Sequence, residues 1–393
     1  MIDTPQQLAD LIARARAADR VALDTEFVWE RTYYPRLGLV QLGLSRDETF
    51  LIDAAALDLR PIGALLADAS VVKILHDAQQ DLTILHRAAG SDDGFAPKNV
   101  FDSRVAAGFV GLTATTSLQA LIEETVGVHL PKGESRSDWL RRPLSSAQME
   151  YARDDVRYLP DAYDALWDHI RERDRTAWVE EEMQLYDDPA LYAEEDPWAH
   201  YHRIKGRGKR GFSGRDYAVL RELGAWREQE ARYRDRPRRH IVPDEVLVTL
   251  AQRKPTDPGA LRSVRGLSDN ARRSYGDALV ETVERGLAVP KGDRPRPPQG
   301  RRSDDAEQAR LDLALALVKG QSLGHDVDPA LVANRASVER LVAAGAEAKP
   351  DEHALLQGWR RTLAGEALLD LLRGESAVGV NPETALPRVL PGR

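Results

Sequence analysis

Apolar residues in the first 175 positions recur first with helical and then with strand spacing. Behind Thr4-Pro5, a pair that favours the start of a helix, apolar side chains recur every three or four residues from position 8 to 15. Shorter apolar runs follow, bounded by polar residues and turns. These runs predict strands at about 21–27, 38–44, 49–53, 71–75 and 99–102.

The links between the first three predicted strands are short, which favours antiparallel neighbours. A helical segment at about 78–89 follows the fourth strand, and from the fifth strand to about residue 173 the chain is mainly helical. Three consecutive strands followed by alternating helices and strands are typical of a mixed sheet covered by helices. The pattern therefore predicts an α/β fold for this part of the chain.

Beyond residue 175 the pattern is helical in two stretches, and a Pro/Arg-rich segment separates them. The pattern predicts an α/β domain followed by two small all-α domains. The expected boundaries are an α/β domain at 1–175, a connecting segment at 176–212, a helical domain at 213–289, a linker at 290–305 and a second helical domain at 306–393.

The composition excludes several classes of site. The 393 residues include no cysteine, which rules out a disulfide framework, a thiolate zinc site and a cysteine nucleophile, and which fits a reducing cytosol. The first residues lack the basic and apolar regions of a signal peptide, and no run of about 18 apolar residues predicts a membrane span. We therefore expect a cytoplasmic protein.

Positive charge is concentrated in one segment of an acidic chain. The net charge is −8, but residues 201–240 contain 13 Lys/Arg and 5 Asp/Glu. Such a segment is typical of a surface that binds phosphates, and it is equally typical of a solvated helix face next to a flexible loop. Both interpretations stay open at this point.

Two carboxylates interrupt the first predicted strand. Asp24 and Glu26 stand two positions apart in Val21-Ala-Leu-Asp-Thr-Glu-Phe27, so their side chains point to the same face. Desolvation of neighbouring carboxylates costs free energy, and a divalent cation is the simplest partner that offsets the cost. Acidic pairs are common in a chain with 63 acidic residues, so the pair alone is a weak signal.

Three more residues extend this pattern. Asp81 lies on the predicted helix after the fourth strand, and Tyr151 and Asp155 lie four residues apart on a later helix that Ser145 and Gln148 can cap. The four-residue spacing places the phenol and the carboxylate on one face, one turn apart. Taken singly, each residue also has an ordinary explanation as a solvated acid or a packing tyrosine.

The order Asp-x-Glu on a strand, Asp on a helix and Tyr-x-x-x-Asp on a later helix resembles the tyrosine-bearing branch of the DEDD exonuclease superfamily. The surrounding segments resemble the ribonuclease D family, namely Leu23-Asp-Thr-Glu-Phe27, Tyr34-Pro-Arg-Leu-Gly-Leu-Val-Gln-Leu42, Lys132-Gly-Glu-Ser-Arg-Ser-Asp-Trp139, Arg142-Pro-Leu144 and Tyr151-Ala-Arg-Asp-Asp-Val-Arg-Tyr-Leu159. The resemblance implies an RNase-H-like fold for the first 175 residues.

The helical stretches carry a resemblance of their own. Leu223-Gly-Ala-Trp-Arg227 and Pro243-Asp-Glu-Val-Leu247 resemble parts of an HRDC domain, the helical module found in helicases and ribonuclease D. Residues 306–373 resemble a second, more diverged module of the same type. The resemblance implies that these modules hold the body of an RNA while its 3′ end reaches the catalytic site.

The resemblance also implies an activity. It is that of a metal-dependent 3′→5′ exoribonuclease that releases 5′-mononucleotides from structured RNA, including tRNA precursors. Asp24, Glu26, Asp81 and Asp155 match the acids that hold two divalent ions, and Tyr151 matches the tyrosine that orients the attacking water. Carboxylate oxygens suit Mg²⁺ or Mn²⁺, and two such ions about 4 Å apart suit phosphodiester hydrolysis. A monomer is expected.

Residues that contact RNA are less sharply indicated. Candidates from the family-like segments and the basic segment are His76, Lys132, Arg136, Arg142, Arg234, Arg236 and Arg238. For His76 a satisfied structural histidine is an alternative, and for the cations a surface ion pair is one. Two other functions remain open, a DNA 3′→5′ exonuclease for repair and a non-catalytic RNA-binding adaptor.

Overall fold

The computed structural model describes residues 1–90, 95–131, 133–134, 137–206, 212–295 and 304–392. The chain divides into two compact units. The first contains Met1–Phe27, Leu37–Tyr192 and Arg302–Arg393, and the second contains Val28–Arg36 and Ala193–Arg301. No helix among the described residues is long and apolar enough to cross a lipid bilayer.

A sheet of mixed strand direction forms the centre of the first unit. Its strands in the described chain are β1 Arg20–Val28, β2 Arg36–Gly43, β3 Thr49–Asp53, β4 Val72–Leu75 and β5 Val100–Asp102, in the spatial order β3-β2-β1-β4-β5. Strands β2 and β3 are antiparallel, and β4 runs parallel to both β1 and β5. The predicted strands and the mixed α/β sheet are therefore confirmed.

Helices cover both faces of this sheet. They are α1 Pro5–Arg16, α2 Arg60–Leu66, α3 Ala78–Ala88, α4 Ser103–Ala107, α5 Leu118–Val126, α6 Ser146–Arg157, α7 Leu159–Glu172 and α8 Thr176–Met183. Helix α1 begins as predicted, because Thr4 and Gln7 form a reciprocal capping box.

Alternation along β1 divides its side chains between two apolar clusters. Val21 and Leu23 pack in a cluster with residues of α1, α2 and α3, whereas Ala22 packs in a cluster with residues of α7 and α8. By the same alternation, Asp24 shares the face of Ala22, and Thr25 shares the face of Val21 and Leu23. This division decides which helices can bring ligands to which side of the strand.

The C-terminal part of the chain belongs to the first unit. Its elements are α13 Asp305–Gly324, α14 Pro329–Val332, α15 Arg335–Ala344, α16 Gly358–Arg360, α17 Glu366–Arg373 and the antiparallel strands β6 Ser376–Val380 and β7 Pro387–Pro391. The sequence predicts a separate helical domain here, but these helices share an apolar core with α7 and α8. The hairpin of β6 and β7 was not predicted.

Trp359 is central to this shared core. Its ring makes an edge contact with Phe109 at 4.9 Å and stacks on Trp178 at 5.7 Å between centroids. Arg360 forms two hydrogen bonds of 2.8 Å with the carboxylate of Glu182. Both sets of contacts join α16 to residues of the first 183 positions.

The second unit is built around α9 Gly214–Tyr233, followed by α10 Arg238–Ile241, α11 Asp244–Arg253 and α12 Asp269–Ala288. Helix α9 starts at a capping box of Ser213 and Asp216. The Val28–Arg36 segment belongs to this unit, where the amides of Tyr33 and Tyr34 donate to Asp235 Oδ1 at 3.0 and 3.1 Å. The predicted helical character of this region is confirmed.

Candidate active site

Three carboxylates converge where β1 meets α6. Helix α6 starts at the predicted capping box of Ser145 and Gln148. Asp155, two turns further along, is buried and lies opposite Asp24 and Glu26. Each of these three residues contributes a carboxylate oxygen to a group whose members all lie within 4.8 Å of one another. We call Asp24, Glu26 and Asp155 the carboxylate cluster.

Asp81 approaches from the other side of the strand. It lies in the first turn of α3, and the hydroxyl of Thr25 donates a hydrogen bond to its Oδ1 atom. The N-terminus of α3 is held by buried Asp102, whose carboxylate accepts the amide hydrogens of Asp77 and Ala78 at 3.1 and 2.9 Å. Asp81 is therefore fixed through both its side chain and its helix.

Burial makes these carboxyl groups hold protons more tightly than usual. Desolvation, together with the charges of Asp155 and Asp81, raises the pKa of Glu26 to about 9. Desolvation is also the main reason why the pKa values of Asp81 and Asp155 rise to about 7. The pKa of Asp24 is raised by burial and then by the surrounding charges. A site with this much unbalanced negative charge favours a cation.

The carboxylate cluster fits a divalent cation. Its donors are all carboxylate oxygens, the hard ligands that Mg²⁺ and Mn²⁺ prefer. Within the described residues, Asp155 Oδ2 is buried without a hydrogen-bond partner, and a buried acceptor of this kind is satisfied by an ion. The carboxylate donors and the buried acceptor without a hydrogen bond therefore both fit a bound divalent cation.

Tyr151 stands one turn before Asp155 on α6. Its ring lies against the main chain of Gly133 and, at 6.1 Å between centroids, beside the indole of Trp139. Desolvation and the charges of Asp155, Glu26 and Asp24 raise the pKa of its hydroxyl above the ordinary value. The phenol is therefore neutral near pH 7, available for hydrogen bonding and unsuited to act as a base.

Comparisons with known proteins show the family of this chain. A family model described as 3′-5′ exonuclease matches residues 1–171, and one described as HRDC domain matches residues 216–283. Ribonuclease D of Desulfotalea psychrophila is 38% identical over 92% of this chain and 95% of its own length. The chain belongs to the ribonuclease D family. Ribonuclease D of Granulibacter bethesdensis is similar too, with 37% identity over 97% of this chain and 94% of its own length.

Solved structures extend the comparison to the fold. The crystal structure of Escherichia coli RNase D, described as an exoribonuclease involved in structured RNA processing, matches with a TM-score of 0.83 and 32% identity. The match covers 95% of this chain and 98% of that one. A Bifidobacterium adolescentis protein, 21% identical with a TM-score of 0.72, shares the fold. The resemblance to ribonuclease D is confirmed, and the chain is a 3′-5′ exoribonuclease.

His76 and Arg142, two residues predicted to contact RNA, have partners within the protein. His76 is held at both ring nitrogens, with Nδ1 2.9 Å from Ser103 Oγ and Nε2 3.0 Å from the carbonyl oxygen of Thr116. Arg142 donates to both carboxylate oxygens of Asp53, at 2.8 and 2.6 Å. Arg142 also donates to the carbonyl oxygens of Gly38 and Trp139. These contacts favour a role for His76 and Arg142 in holding the fold.

The other basic residues that were predicted to contact RNA differ in whether an acidic side chain already binds them. Lys132 and Arg136 lie outside the described residues. Arg238 is bound to buried Glu228 through two hydrogen bonds of 2.6 and 2.8 Å, and Arg234 pairs with Glu230. Arg236 is exposed and forms no ion pair with any residue in the described ranges. Arg236 thus has the side chain that is most available to a phosphate.

Sequence reasoning missed three residues that touch the candidate site. Thr25 binds Asp81, Gly133 packs against Tyr151, and the side-chain amide of fully buried Gln41 lies 3.5 Å from Asp24 Oδ2. Gln41 left a signal in the sequence, since a lone amide in an otherwise apolar strand requires a partner. Thr25 and Gly133 left none, because their contacts are with segments distant in the chain.

Proposed function

We propose that this exoribonuclease trims the 3′ ends of structured RNA, tRNA precursors included, in a reaction that depends on divalent metal. The observation that carries the metal dependence is the carboxylate cluster, whose oxygens lie within 4.8 Å of one another and which contains the unmet acceptor of Asp155. The substrate class is supported by the Escherichia coli relative, which is described as acting in structured RNA processing.

Two ions are proposed, with the acids divided between them. Asp24, Glu26 and Asp155 would hold one ion, since their oxygens already lie close together. Asp81, outside that cluster and fixed by Thr25, would serve the second ion together with Asp24. When bound, such ions lower the pKa of water and neutralise charge on the leaving oxygen. Their identity as Mg²⁺ or Mn²⁺ is part of the proposal.

Tyr151 would orient the water that attacks the last phosphodiester. Its neutral hydroxyl can accept a hydrogen bond from this water or donate one to a phosphate oxygen. Attack forms the new bond between the water oxygen and phosphorus, and the bond from phosphorus to the 3′ oxygen of the penultimate nucleotide breaks. That oxygen takes up a proton, so the products are a 5′-mononucleotide and an RNA with a new 3′ hydroxyl.

The second unit would hold the body of the RNA. Among the candidates Arg234, Arg236 and Arg238, the exposed Arg236, which forms no ion pair within the described part of the chain, fits a phosphate contact best, while Arg238 already neutralises Glu228. Nearby Tyr233 is 85% exposed, and its ring offers a face on which a base can stack. The cytoplasmic location and the monomeric state of the chain stay predictions.

The decisive experiment is a time course on a tRNA that carries a short 3′ extension, resolved at single nucleotides. With Mg²⁺ or Mn²⁺ we expect stepwise shortening and release of 5′-mononucleotides, and with chelator we expect none. Asp24→Ala should abolish trimming while RNA binding persists. Normal trimming by pure Asp24→Ala protein, or by wild-type protein in chelator, would remove the metal assignment. Faster cutting of a matched DNA would favour a DNA exonuclease, and intact RNA throughout would favour an adaptor.

A further inference from the structure

We propose that Gly133 is a positioning residue for Tyr151, because the side chain that it lacks leaves the space in which the tyrosine ring lies. This inference rests on the proposed role of Tyr151 in orienting the attacking water. Gly133 itself contributes no side-chain ligand to the carboxylate cluster.

The geometry is close at the ring itself. A Cβ atom built on Gly133 would lie 2.0 Å from Cδ2, 2.6 Å from Cε2 and 3.1 Å from Cγ of Tyr151. Real Cβ atoms do not approach other heavy atoms within 3.0 Å, so any larger residue at position 133 forces either the ring or the main chain to move. The contact runs along the edge of the ring that leads to the hydroxyl.

The requirement for glycine at position 133 comes from the space that the Tyr151 ring occupies. Gly133 is not among the described glycines with positive φ, and the three atoms nearest to a Cβ atom built on it all belong to the Tyr151 ring. A substitution therefore acts through the steric contact with Tyr151. This separates Gly133 from glycines such as Gly127, which ends α5 at a φ of 72°.

A second neighbour of the Tyr151 ring, Trp139, is fixed in place. Trp139 is 1% exposed and lies beside Tyr151, and its main chain is held by Arg142, which donates to its carbonyl oxygen at 2.9 Å. Its carbonyl oxygen would also lie 2.4 Å from a Cβ atom at Gly38, so strand β2 supports the same segment. With Trp139 fixed, a new methyl group at position 133 turns the Tyr151 ring and moves its hydroxyl.

A displaced hydroxyl should affect turnover and leave binding intact. A shift of about 1 Å in a positioned group can reduce a rate by about 100-fold. Since Gly133 holds no ligand of the proposed ions, the affinity for Mn²⁺ and for RNA should not change. The effect should also vanish when Tyr151 has no hydroxyl to misplace.

The test compares the full-length Gly133→Ala, Tyr151→Phe and doubly substituted enzymes in steady-state trimming of a 3′-extended tRNA with Mn²⁺. Gly324→Ala is the matched control, because a Cβ atom there meets nothing within 4 Å and Gly324 also belongs to the first unit. We expect Gly133→Ala to lower kcat about 10- to 100-fold with KM within about threefold of wild type. The double variant should be no slower than the slower single variant.

Each outcome decides a different point. An impaired Tyr151→Phe enzyme together with a Gly133→Ala kcat within twofold of wild type overturns the role of Gly133 alone. A double variant whose losses multiply does the same, since the two residues then act independently. A Tyr151→Phe enzyme with wild-type kcat removes the role of Tyr151 and this inference with it. A Gly133→Ala protein that melts early or loses Mn²⁺ binding makes Gly133 a residue of the fold and not of positioning.

Discussion

Thr25 donates its hydroxyl hydrogen to the carboxylate of Asp81, a contact that joins the middle of β1 to the first turn of α3. Thr25 lies between Asp24 and Glu26 in β1, but its side chain faces the opposite side of the strand. One strand therefore presents two acids on one face and, on the other face, a hydroxyl that holds a third acid.

We expect Thr25→Val to remove the hydrogen bond that orients the Asp81 carboxylate without changing the conformation of β1. The variant keeps the size of threonine but removes the hydrogen bond, and loss of such an orienting contact typically costs about 10- to 100-fold in metal affinity or activity. Mn²⁺ titration followed by electron paramagnetic resonance, together with kcat, measures the effect. Thr25→Ser keeps the hydroxyl and should stay close to wild type; equal losses in both variants would contradict the explanation.

We expect the metal-free protein to lose stability as the pH rises. The carboxyl pKa values in the folded state, about 7 for Asp81 and Asp155 and about 9 for Glu26, lie above the unfolded values near 4. The folded state therefore binds more protons, and the free energy of unfolding falls from about pH 4 up to about pH 9. Urea unfolding in chelator at pH 5 and pH 8.5 measures this loss.

Asp24→Asn provides the control for this pH dependence. It removes a buried carboxyl group whose negative charge is unfavourable beside Asp81, Asp155 and Glu26, so at pH 8.5 the metal-free variant should be more stable than wild type. Mg²⁺ should stabilise wild type more than the variant. A wild-type free energy of unfolding that stays constant between pH 5 and pH 8.5 would rule out the raised pKa values as its cause.

We expect Arg236→Glu to weaken RNA binding without affecting the fold. The Arg236 side chain is exposed and forms no ion pair among the described residues, so loss of its charge should affect only a contact with a phosphate of bound RNA. Loss of one phosphate contact should reduce the slope of log affinity against log salt by about 1. Filter binding of a tRNA at several salt concentrations measures the slope, and an unchanged slope would make this segment a solvated helix face.

Arg238→Ala should have the opposite profile. Arg238 binds Glu228, a fully buried acid whose own burial raises its pKa, although hydrogen bonds from Arg238 and Tyr33 bring it down to about 2. Removal of the arginine leaves this charge poorly compensated and should cost about 3 kcal/mol of stability. Urea unfolding measures this loss of stability. A stable Arg238→Ala protein with strongly weakened RNA binding would show instead that Arg238 contacts RNA.

We expect Trp359→Ala to destabilise the first unit by about 3–5 kcal/mol, because it empties a site packed against Phe109 and Trp178. It also removes the hydrogen bond from the indole Nε1 to Glu182 Oε2 at 3.1 Å. Trp29→Ala, in the second unit, is the control for loss of an exposed indole, since Trp29 is 54% exposed and its removal should cost less than about 1 kcal/mol. Equal unfolding midpoints for the two variants would show that the C-terminal helices add little to the stability of this core.

The site could be predicted from sequence where its logic is local. Asp24 and Glu26 share a strand face and Tyr151 and Asp155 share a helix face, because two- and four-residue spacings place side chains on one side. Resemblance to ribonuclease D then joined these pairs to Asp81. Thr25 could not be found in this way, since its partner lies 56 residues away and only the packing of α3 against β1 brings the two together.

The same division holds for the fold and the basic segment. Amphipathic spacing and capping residues determined the strands, the start of α1 and the start of α6, since these depend on neighbours within a few residues. Tertiary packing alone decided that α13 to α17 complete the core of the first unit. It also decided that Arg142 and Arg238 neutralise Asp53 and Glu228, because burial of an acid requires a cation whatever its distance along the chain.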